Sequence, residues 1–295
     1  MSNTIFVTGA SGQLGRLVIK HLLARNVASR RIIAGTRSPE KLADLAAAGI
    51  EVRAIDFEDQ NGLTAAFKEV GTVLIISTDA LDANNTRLKQ HRNAVSSAVA
   101  AGVQRIAYTS QPNPASSLLS FAPDHLETER AIQVTGLPHI FFRNGWYHEN
   151  LLRSLPHALE SGQWHTTSPG GRTSYVGRDN IAEAIAAALT TSTSGSRTYT
   201  LTGAEALSNK DIATLASKAA GKPIKVVPVT DEEFVAGIKA AGVPDVFVSV
   251  LASIEAEVRA GNLSIVTDHV EQLIARPPKP LAQYLNEGMV SAQVD

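Results

Sequence analysis

The chain has 295 residues, 44% of them hydrophobic and 19% charged, and its formal net charge is −1. This composition is that of an ordinary globular protein, long enough for one large domain or two modest ones. A near-neutral chain with scattered basic residues is not expected to bind nucleic acid or an anionic membrane. The sequence contains no cysteine, which excludes disulfides, thiolate catalysis and cysteine-ligated metals.

The most informative segment follows a short apolar strand predicted over residues 4–7. A glycine-rich turn comes directly after this strand and opens an amphipathic helix. Glycines let the backbone approach a pyrophosphate, while the helix N-terminus offers N–H groups and the positive end of its dipole. The pattern predicts a dinucleotide site at Gly9, Ala10, Ser11, Gly12, Gln13, Leu14 and Gly15.

The end of the second strand, over residues 31–36, indicates which dinucleotide is bound. NAD-binding sites of this kind usually place an Asp or Glu about 20 residues after the glycines, where it accepts hydrogen bonds from the ribose 2′-OH. Here Arg37 follows the strand instead. Because a guanidinium pairs with a 2′-phosphate that a carboxylate would repel, the sequence favours NADP(H) over NAD(H). A solvated loop arginine is the alternative.

Strands and helices continue to alternate through the first half of the chain. Asp56 and Phe57 follow the third strand, at the position where related folds contact the adenine. Ser77 and Thr78 end the next strand and are expected to contact the cofactor, because ligands bind at the carboxyl ends of parallel strands. We predict strands over 51–55, 72–78, 105–110 and 138–142 and helices over 63–70, 84–101 and 125–135.

Beyond Arg143 the pattern becomes mainly helical. Ser208 and Thr230 are predicted helix N-caps, because each is followed three positions later by an acidic residue. The strand over 197–202 is expected to return to the main sheet. The other predicted elements are helices over 151–160, 180–190, 244–260 and 268–274 and strands over 173–176 and 224–229.

These elements predict an α/β fold with a Rossmann-type doubly wound parallel sheet. We assign residues 1–150 to the NADP(H)-binding domain and residues 151–295 to a smaller, mostly helical C-terminal lobe that binds the substrate. No apolar run reaches membrane-spanning length and the first strand begins at residue 4, so we expect a cytoplasmic protein without a signal peptide.

The sequence lacks the catalytic pair of most short-chain reductases, a tyrosine followed four positions later by a lysine. None of the five tyrosines has that lysine. Reduction of a simple ketone requires a proton donor of this kind, because an alkoxide forms. A quinone or a cationic dye is already strongly electrophilic and tolerates the loss. The absence therefore favours conjugated acceptors.

Several segments together resemble the NmrA-like atypical short-chain reductases, and within them the NADPH:quinone oxidoreductase type 2 and triphenylmethane reductase group. The resemblance implies a flavin-free enzyme that uses NADPH and transfers a hydride directly to a quinone. The residues that carry it are the glycine turn Thr8–Gly15, Arg37, His91-Arg92-Asn93, Ile106-Ala107-Tyr108-Thr109-Ser110, His125-Leu126-Glu127-Thr128-Glu129 and Arg143-Asn144-Gly145-Trp146-Tyr147.

The resemblance also implies cofactor contacts from a segment that follows a strand, namely Asn144, Gly145, Trp146, Tyr147, His148 and Glu149. Arg178 is a further candidate, with a surface position at a helix start as the alternative. We expect Tyr147 to be catalytic, orienting a flat acceptor or supplying a proton. Packing of Trp146 and Tyr147 between lobes is the alternative.

His125 is the second candidate catalytic residue, because it lies where the usual catalytic helix begins. It is expected to bind substrate or donate a proton, or else only to cap or pack in that helix. Thr109 and Ser110 lie at a strand end where related enzymes keep a catalytic hydroxyl, although ordinary strand ends also carry such residues. No histidine pair has metal-ligand spacing, so no metal site is expected.

Three hypotheses remain open. The first is an NADPH-dependent reductase that acts on quinones or similar aromatic acceptors. The second is an NmrA-like redox sensor that binds NADP(H) and a protein partner without turnover. The third is a reductase or isomerase of other substrates, such as azo or triphenylmethane dyes or phenolic metabolites. Under the first hypothesis the expected partners are the small-molecule acceptor and, as an open question, a second copy in a homodimer.

Overall fold

The computed structural model of the protein describes residues 3–82, 84–152, 154–191 and 195–291. The strands are β1 (Ile5–Val7), β2 (Ile32–Thr36), β3 (Glu51–Ala54), β4 (Thr72–Ile75), β5 (Arg105–Ser110), β6 (His139–Asn144), β7 (Gln163–Thr166), β8 (Arg172–Thr173), β9 (Arg197–Leu201), β10 (Leu207–Ser208) and β11 (Lys225–Pro228). The helices are α1 (Gln13–Ala24), α2 (Ala43–Ala47), α3 (Gln60–Ala66), α4 (Thr86–Ala100), α5 (Ala122–Val134), α6 (His148–Leu151), α7 (Leu155–Ser161), α8 (Arg178–Thr190), α9 (Asn209–Ala220), α10 (Asp231–Ala240), α11 (Asp245–Arg259), α12 (His269–Ile274) and α13 (Leu281–Ser291).

Seven strands form the central sheet in the order β3-β2-β1-β4-β5-β6-β9. The pairs from β3 to β6 are parallel. Every residue of β1 and β2 is buried, as expected for strands that are covered on both faces. This arrangement confirms the predicted Rossmann-type doubly wound sheet, and β9 joins it at the edge beside β6 as predicted.

The strand order reverses at β1, which lies between β2 and β4. In such sheets ligands bind outside the carboxyl ends of the strands at the point of reversal. Large aromatic side chains fill one core of the sheet. The ring of Phe6 meets that of Phe67 edge-on, with centroids 5.0 Å apart, and Tyr108 and Phe141 belong to the same cluster. The core therefore supports β1, β4 and β5 beneath the expected site.

The chain divides into two compact units, each built from separate segments. One comprises Met1–Gln111, Pro123–Arg143 and Ile181–Tyr199, and the other comprises Pro112–Ala122, Asn144–Asn180 and Thr200–Asp295. The predicted single boundary at residue 150 does not follow this division, because the chain returns to the first unit at Ile181. Assignment of substrate binding to residues 151–295 stays a prediction.

The second unit contains more strand than its sequence predicts. β7 pairs with β11 in parallel, and β8 pairs with β10 in antiparallel fashion. Instead of the strand expected over 173–176, the structure has the two-residue strand β8. Beyond it, Val176 forms a single isolated β-bridge with Tyr147. The predicted N-caps Ser208 and Thr230 are confirmed as capping boxes that open α9 and α10. Within the described ranges, no helix combines the length and apolar character needed to cross a bilayer.

Candidate active site

The glycine turn between β1 and α1 has the geometry of a phosphate-binding loop. Gly9 has φ +58°, which favours glycine, and its carbonyl accepts the N–H of Gly12 at 2.9 Å. The N–H of Ala10 donates to the carbonyl of Gly35 at 2.9 Å, which ties the turn to β2. A Cβ added at Gly15 would overlap the backbone of Gly9. Only glycine therefore lets α1 pack this closely against the turn.

The start of α1 suits an anion. Its N-cap, Gly12, supplies no side-chain cap, and the first turn holds no acidic residue. The positive end of the helix dipole is thus not offset by a carboxylate of that turn. Ser11 Oγ and Thr36 Oγ1 share a hydrogen bond of 2.9 Å beside it. Together with the close approach that the glycines permit, these features fit the pyrophosphate of a dinucleotide.

Arg37 lies directly after β2 and its side chain is exposed. Within the part of the chain that the structure describes, it makes no hydrogen bond or ion pair. Arg16, in the first turns of α1, differs: its guanidinium donates to Asp44 at 2.8 Å and to the carbonyl of Lys41. Arg37 therefore keeps its charge available for a ligand at the end of β2, as NADP(H) binding requires.

The predicted adenine contacts differ in burial. Asp56 is exposed, and its Oδ1 accepts the N–H of Glu58 at 2.9 Å. Phe57 is buried in the core cluster, and its carbonyl accepts from Asn93 Nδ2 at 2.9 Å. The ring of Phe57 thus supports the core, whereas Asp56 faces solvent just after β3. An adenine contact from either residue stays a prediction.

The ends of β4 and β5 meet as predicted, although β4 ends at Ile75 rather than Thr78. The N–H of Ser77 donates to Thr109 Oγ1 at 2.9 Å. The N–H of Thr78 donates to His91 Nε2 at 3.0 Å. Side-chain acceptors therefore satisfy the backbone where the strand pairing ends, and they hold Ser77 and Thr78 at the carboxyl edge of the sheet.

A buried polar network lies beneath this edge. Arg87 Nη2 lies 2.8 Å from His125 Nε2, and His125 Nδ1 lies 2.8 Å from the hydroxyl of Tyr108. His91 Nδ1 lies 3.0 Å from Thr128 Oγ1. These side chains come from α4, β5 and α5, and each is less than a tenth exposed. The sheet and two helices are thus joined by one set of hydrogen bonds.

The donors in this network fix the proton positions on both imidazoles. A guanidinium only donates, so Nε2 of His125 accepts and its proton lies on Nδ1. A backbone N–H likewise only donates, so Nε2 of His91 accepts from Thr78. Burial, assisted by the charge of Arg87, lowers the pKa of His91 to about 3 and that of His125 well below its ordinary value. Both rings are therefore neutral.

This geometry bears on the expectation that His125 binds substrate or donates a proton. The residue is only 3% exposed, and both ring nitrogens are engaged within the protein. A neutral ring whose one proton is directed at Tyr108 is not placed to protonate an acceptor. This geometry fits the alternative, in which His125 packs at the start of α5 and hydrogen-bonds to α4 and β5. A role of His125 in substrate binding or proton donation stays a prediction.

The segment after β6 forms a second cluster of candidate residues. Asn144 Nδ2 donates to the hydroxyl of Tyr147 at 3.1 Å. The guanidinium of Arg178 lies over the Tyr147 ring, 4.7 Å from its centroid, and the backbone N–H of Arg178 donates to Glu149 at 3.1 Å. Burial raises the pKa of Tyr147, opposed by Asn144 and Arg178. The phenol therefore stays protonated near neutral pH.

Backbone hydrogen bonds hold the same segment in place. The N–H of Gly145 donates to Leu201 at 2.8 Å, and that of Val176 donates to Trp146 at 2.9 Å. A Cβ at Gly145 would lie 2.9 Å from the Leu201 carbonyl oxygen, so glycine is needed for this approach. His148 is buried, and its ring lies 5.0 Å from that of Tyr284. His148 thus packs within its own unit, while Trp146 and Tyr147 remain half-buried.

The sequence predicted that Asn144, Tyr147 and Arg178 belong to one site. It did not predict the hydrogen-bond network that joins Arg87 to His125 and Tyr108. Arg87 and His91 are four residues apart on one face of α4, and this spacing was the one available signal. It becomes informative only once Tyr108 is known to lie beneath that face. Among the described residues, no group of three or more potential ligands could hold a metal ion.

The chain matches the model of the NmrA-like family over residues 1–281. It is 35% identical over 279 residues to quinone oxidoreductase 2 of Escherichia coli, covering 95% of this chain and 96% of that protein. The crystal structure of the NADPH-dependent quinone oxidoreductase from Escherichia coli with NADPH matches with a TM-score of 0.91, at 34% identity and with 96% and 99% of the chains covered.

A second solved structure is similar to the same extent. Triphenylmethane reductase of a Citrobacter species, crystallised with NADP(H), matches with a TM-score of 0.90 at 35% identity, covering 97% of this chain and all of that one. The resemblance inferred from the glycine turn, Arg37 and the Asn144–Tyr147 segment is thereby confirmed. The chain belongs to the NmrA-like family.

Proposed function

We propose that this protein is an NADPH-dependent reductase of quinones and similar conjugated acceptors that works without flavin. The observation that carries the proposal is the pairing of an uncapped, glycine-lined α1 N-terminus with an available Arg37 at the end of the adjacent strand. Full-length similarity to a quinone oxidoreductase crystallised with NADPH supports it. When bound, the cofactor supplies a hydride from its nicotinamide.

Different residues of the chain bind different parts of the cofactor. Gly9, Gly12 and the first turn of α1 hold the pyrophosphate, and Arg37 pairs with the 2′-phosphate. Ser77 and Thr78 lie on the side of β1 away from β2, where the nicotinamide half of a dinucleotide extends in this fold. Binding of Asn144–Glu149 and Arg178 to the same cofactor is part of the proposal.

Tyr147 is the residue we assign to the acceptor. Its ring face is held by Arg178, and its hydroxyl accepts from Asn144 Nδ2, which leaves the phenolic hydrogen free to be donated. No lysine stands four positions after it to lower its pKa, and burial raises that pKa. Tyr147 therefore suits orientation of a flat acceptor better than protonation of an alkoxide.

Reduction of cationic dyes is a second candidate function. Equal similarity to triphenylmethane reductase, at 35% identity and a TM-score of 0.90, favours it. Such a dye accepts the hydride at carbon and becomes neutral, so it also needs no strong acid. A purely regulatory role without turnover is the remaining alternative. The homodimer and the cytoplasmic location stay predictions, to be tested by light scattering and cell fractionation.

One assay distinguishes these functions. The oxidation of NADPH is followed with purified, flavin-free protein and benzoquinone, a triphenylmethane dye, cyclohexanone or no acceptor. We expect rapid oxidation with the quinone and none with the ketone. Turnover with the dye alone would favour the second candidate. Absence of turnover with every acceptor, despite NADPH binding, would favour the regulatory role.

A further inference from the structure

Gln111 lies at the carboxyl edge of the sheet, directly after β5. β4 and β5 pair in parallel, with Ile75 beside Tyr108. Continued by three residues, this register places Thr78 next to Gln111. The hydrogen bond from the Ser77 N–H to Thr109 Oγ1 shows that these two segments stay together beyond the end of β4. Gln111 is therefore beside the proposed nicotinamide side of the cofactor site.

The amide of Gln111 is buried and has no partner among the described residues. The residue is only 6% exposed, yet neither Nε2 nor Oε1 makes a hydrogen bond there. Two hydroxyls at the same strand ends, Ser110 Oγ and Thr78 Oγ1, are also buried without a partner in those ranges. Four polar atoms that require partners thus gather at one edge of β4 and β5.

Such a cluster is unfavourable for folding alone. A buried polar group left without a hydrogen bond destabilises the folded protein, and nearly all such groups in native proteins have partners. Other polar groups at this edge do have hydrogen-bond partners within the protein, since Thr109 Oγ1 and His91 Nε2 both accept backbone N–H groups. The unsatisfied amide of Gln111 therefore points to a ligand.

We propose that Gln111 Nε2 donates a hydrogen bond to the carbonyl oxygen of the acceptor, and this rests on the proposed function. Hydride transfer to a quinone places negative charge on that oxygen. An amide N–H preorganised at a buried edge stabilises such charge without changing its own protonation state. The hydride comes from NADPH and one proton from solvent, giving NADP⁺ and the hydroquinone. No bond to Gln111 forms or breaks.

The test compares Gln111→Leu with Gln104→Leu. Gln104 is exposed at the opposite end of β5, so the same substitution there serves as the matched control. For Gln111→Leu we expect kcat/KM for benzoquinone to fall roughly 10- to 150-fold, the range of one hydrogen bond to a charged group. The Kd for NADPH should stay within about twofold, because the cofactor contacts are retained. The thermal midpoint of the ligand-free protein should not fall, since leucine removes the unsatisfied amide.

A second variant, Gln111→Met, keeps the side-chain length if leucine impairs folding. Unchanged kcat/KM with a higher thermal midpoint would overturn the proposal, because Gln111 would then be only a buried amide. A loss confined to NADPH affinity would also overturn it. If the wild type itself does not reduce benzoquinone, the proposed function fails, and calorimetric binding of hydroquinone to the NADP⁺-loaded protein tests Gln111 separately. Weaker binding in Gln111→Leu supports the contact, and equal or absent binding in both proteins overturns it.

Discussion

Arg87 donates from Nη2 to Nε2 of His125 at a distance of 2.8 Å, beneath the carboxyl ends of β4 and β5. Because the guanidinium cannot accept a proton, this contact keeps His125 neutral and directs its Nδ1 proton to Tyr108. Through His125, α5 is thus hydrogen-bonded to both α4 and β5. In this arrangement the single ring proton of His125 is engaged within the protein.

The neutral state of His91 makes folding sensitive to acid. Its pKa is about 3 in the folded protein against an ordinary value of 6.5, so the unfolded chain binds the proton first as the pH falls. The stability that neutral His91 contributes is therefore fully present above its unfolded-state pKa, and it is lost as the pH falls toward its folded-state pKa. Between pH 7 and 4.5 the unfolding free energy of both proteins should fall. We expect the fall to be about 2–3 kcal/mol smaller in His91→Gln than in wild type.

Denaturant unfolding at several pH values measures this difference. His157 is exposed, so His157→Gln serves as the control and should retain the wild-type pH dependence. An identical pH dependence in His91→Gln and wild type would show that His91 is not held neutral by burial.

Arg37 should determine the preference for NADPH. Its side chain is exposed and available beside the glycine turn. Arg37→Ala should weaken NADPH binding roughly 10- to 150-fold and leave NADH nearly unchanged. Fluorescence titration of both cofactors measures this. Arg30→Ala, at the amino end of the same strand, is the matched control. Equal losses for the two cofactors would rule out a 2′-phosphate contact.

Gly12 should be essential for the cofactor but not for the fold. Its φ of −77° is accessible to other residues, and an added Cβ would lie 3.2 Å from the carbonyl oxygen of Gly9. Gly12→Val should therefore fold, yet fill the space that the pyrophosphate needs. We expect calorimetry to detect no NADPH binding, with an unchanged circular dichroism spectrum. Gly237→Val, where a Cβ meets nothing within 4 Å, controls for the loss of a glycine. Retained binding in Gly12→Val would place the cofactor elsewhere.

Tyr147 separates orientation from proton supply. Tyr147→Phe keeps the ring beneath Arg178 and removes only the hydroxyl that accepts from Asn144. The Phe variant should keep most benzoquinone activity, and Tyr147→Ala should lose much more, because the ring orients the acceptor. Steady-state rates at saturating NADPH measure both. If the Phe variant is as inactive as the Ala variant, the hydroxyl is needed as a proton donor.

The sheet and the glycine turn could be predicted because their signals are local. β1, β2 and β4 are continuous apolar runs, and the turn between β1 and α1 combines glycine spacing with a flanking strand and helix. β7 was missed because it pairs with β11, about sixty residues later, as the register of Gln163 with Lys225 shows. Two-residue strands such as β10 carry no periodicity at all.

The side chains at the site were harder to predict for the same reason. The network of Arg87, Tyr108 and His125 joins residues 17 and 38 positions apart, and no periodic pattern connects them. Gln111 is an ordinary polar residue after a strand, and only its burial without partners distinguishes it. Arg37, by contrast, was informative from the sequence alone, because NAD-binding sites of this fold usually have an acidic residue at that position.

The central claim is direct hydride transfer from NADPH to a quinone without flavin. A single-turnover experiment under anaerobic conditions, with NADPH deuterated at each C4 position in turn, tests it most directly. The account predicts one hydroquinone formed for each NADPH consumed, a primary isotope effect from one C4 position only, and no flavin absorbance. Quinone reduction that appears only after flavin is added, or no reduction by the NADPH complex, would contradict it.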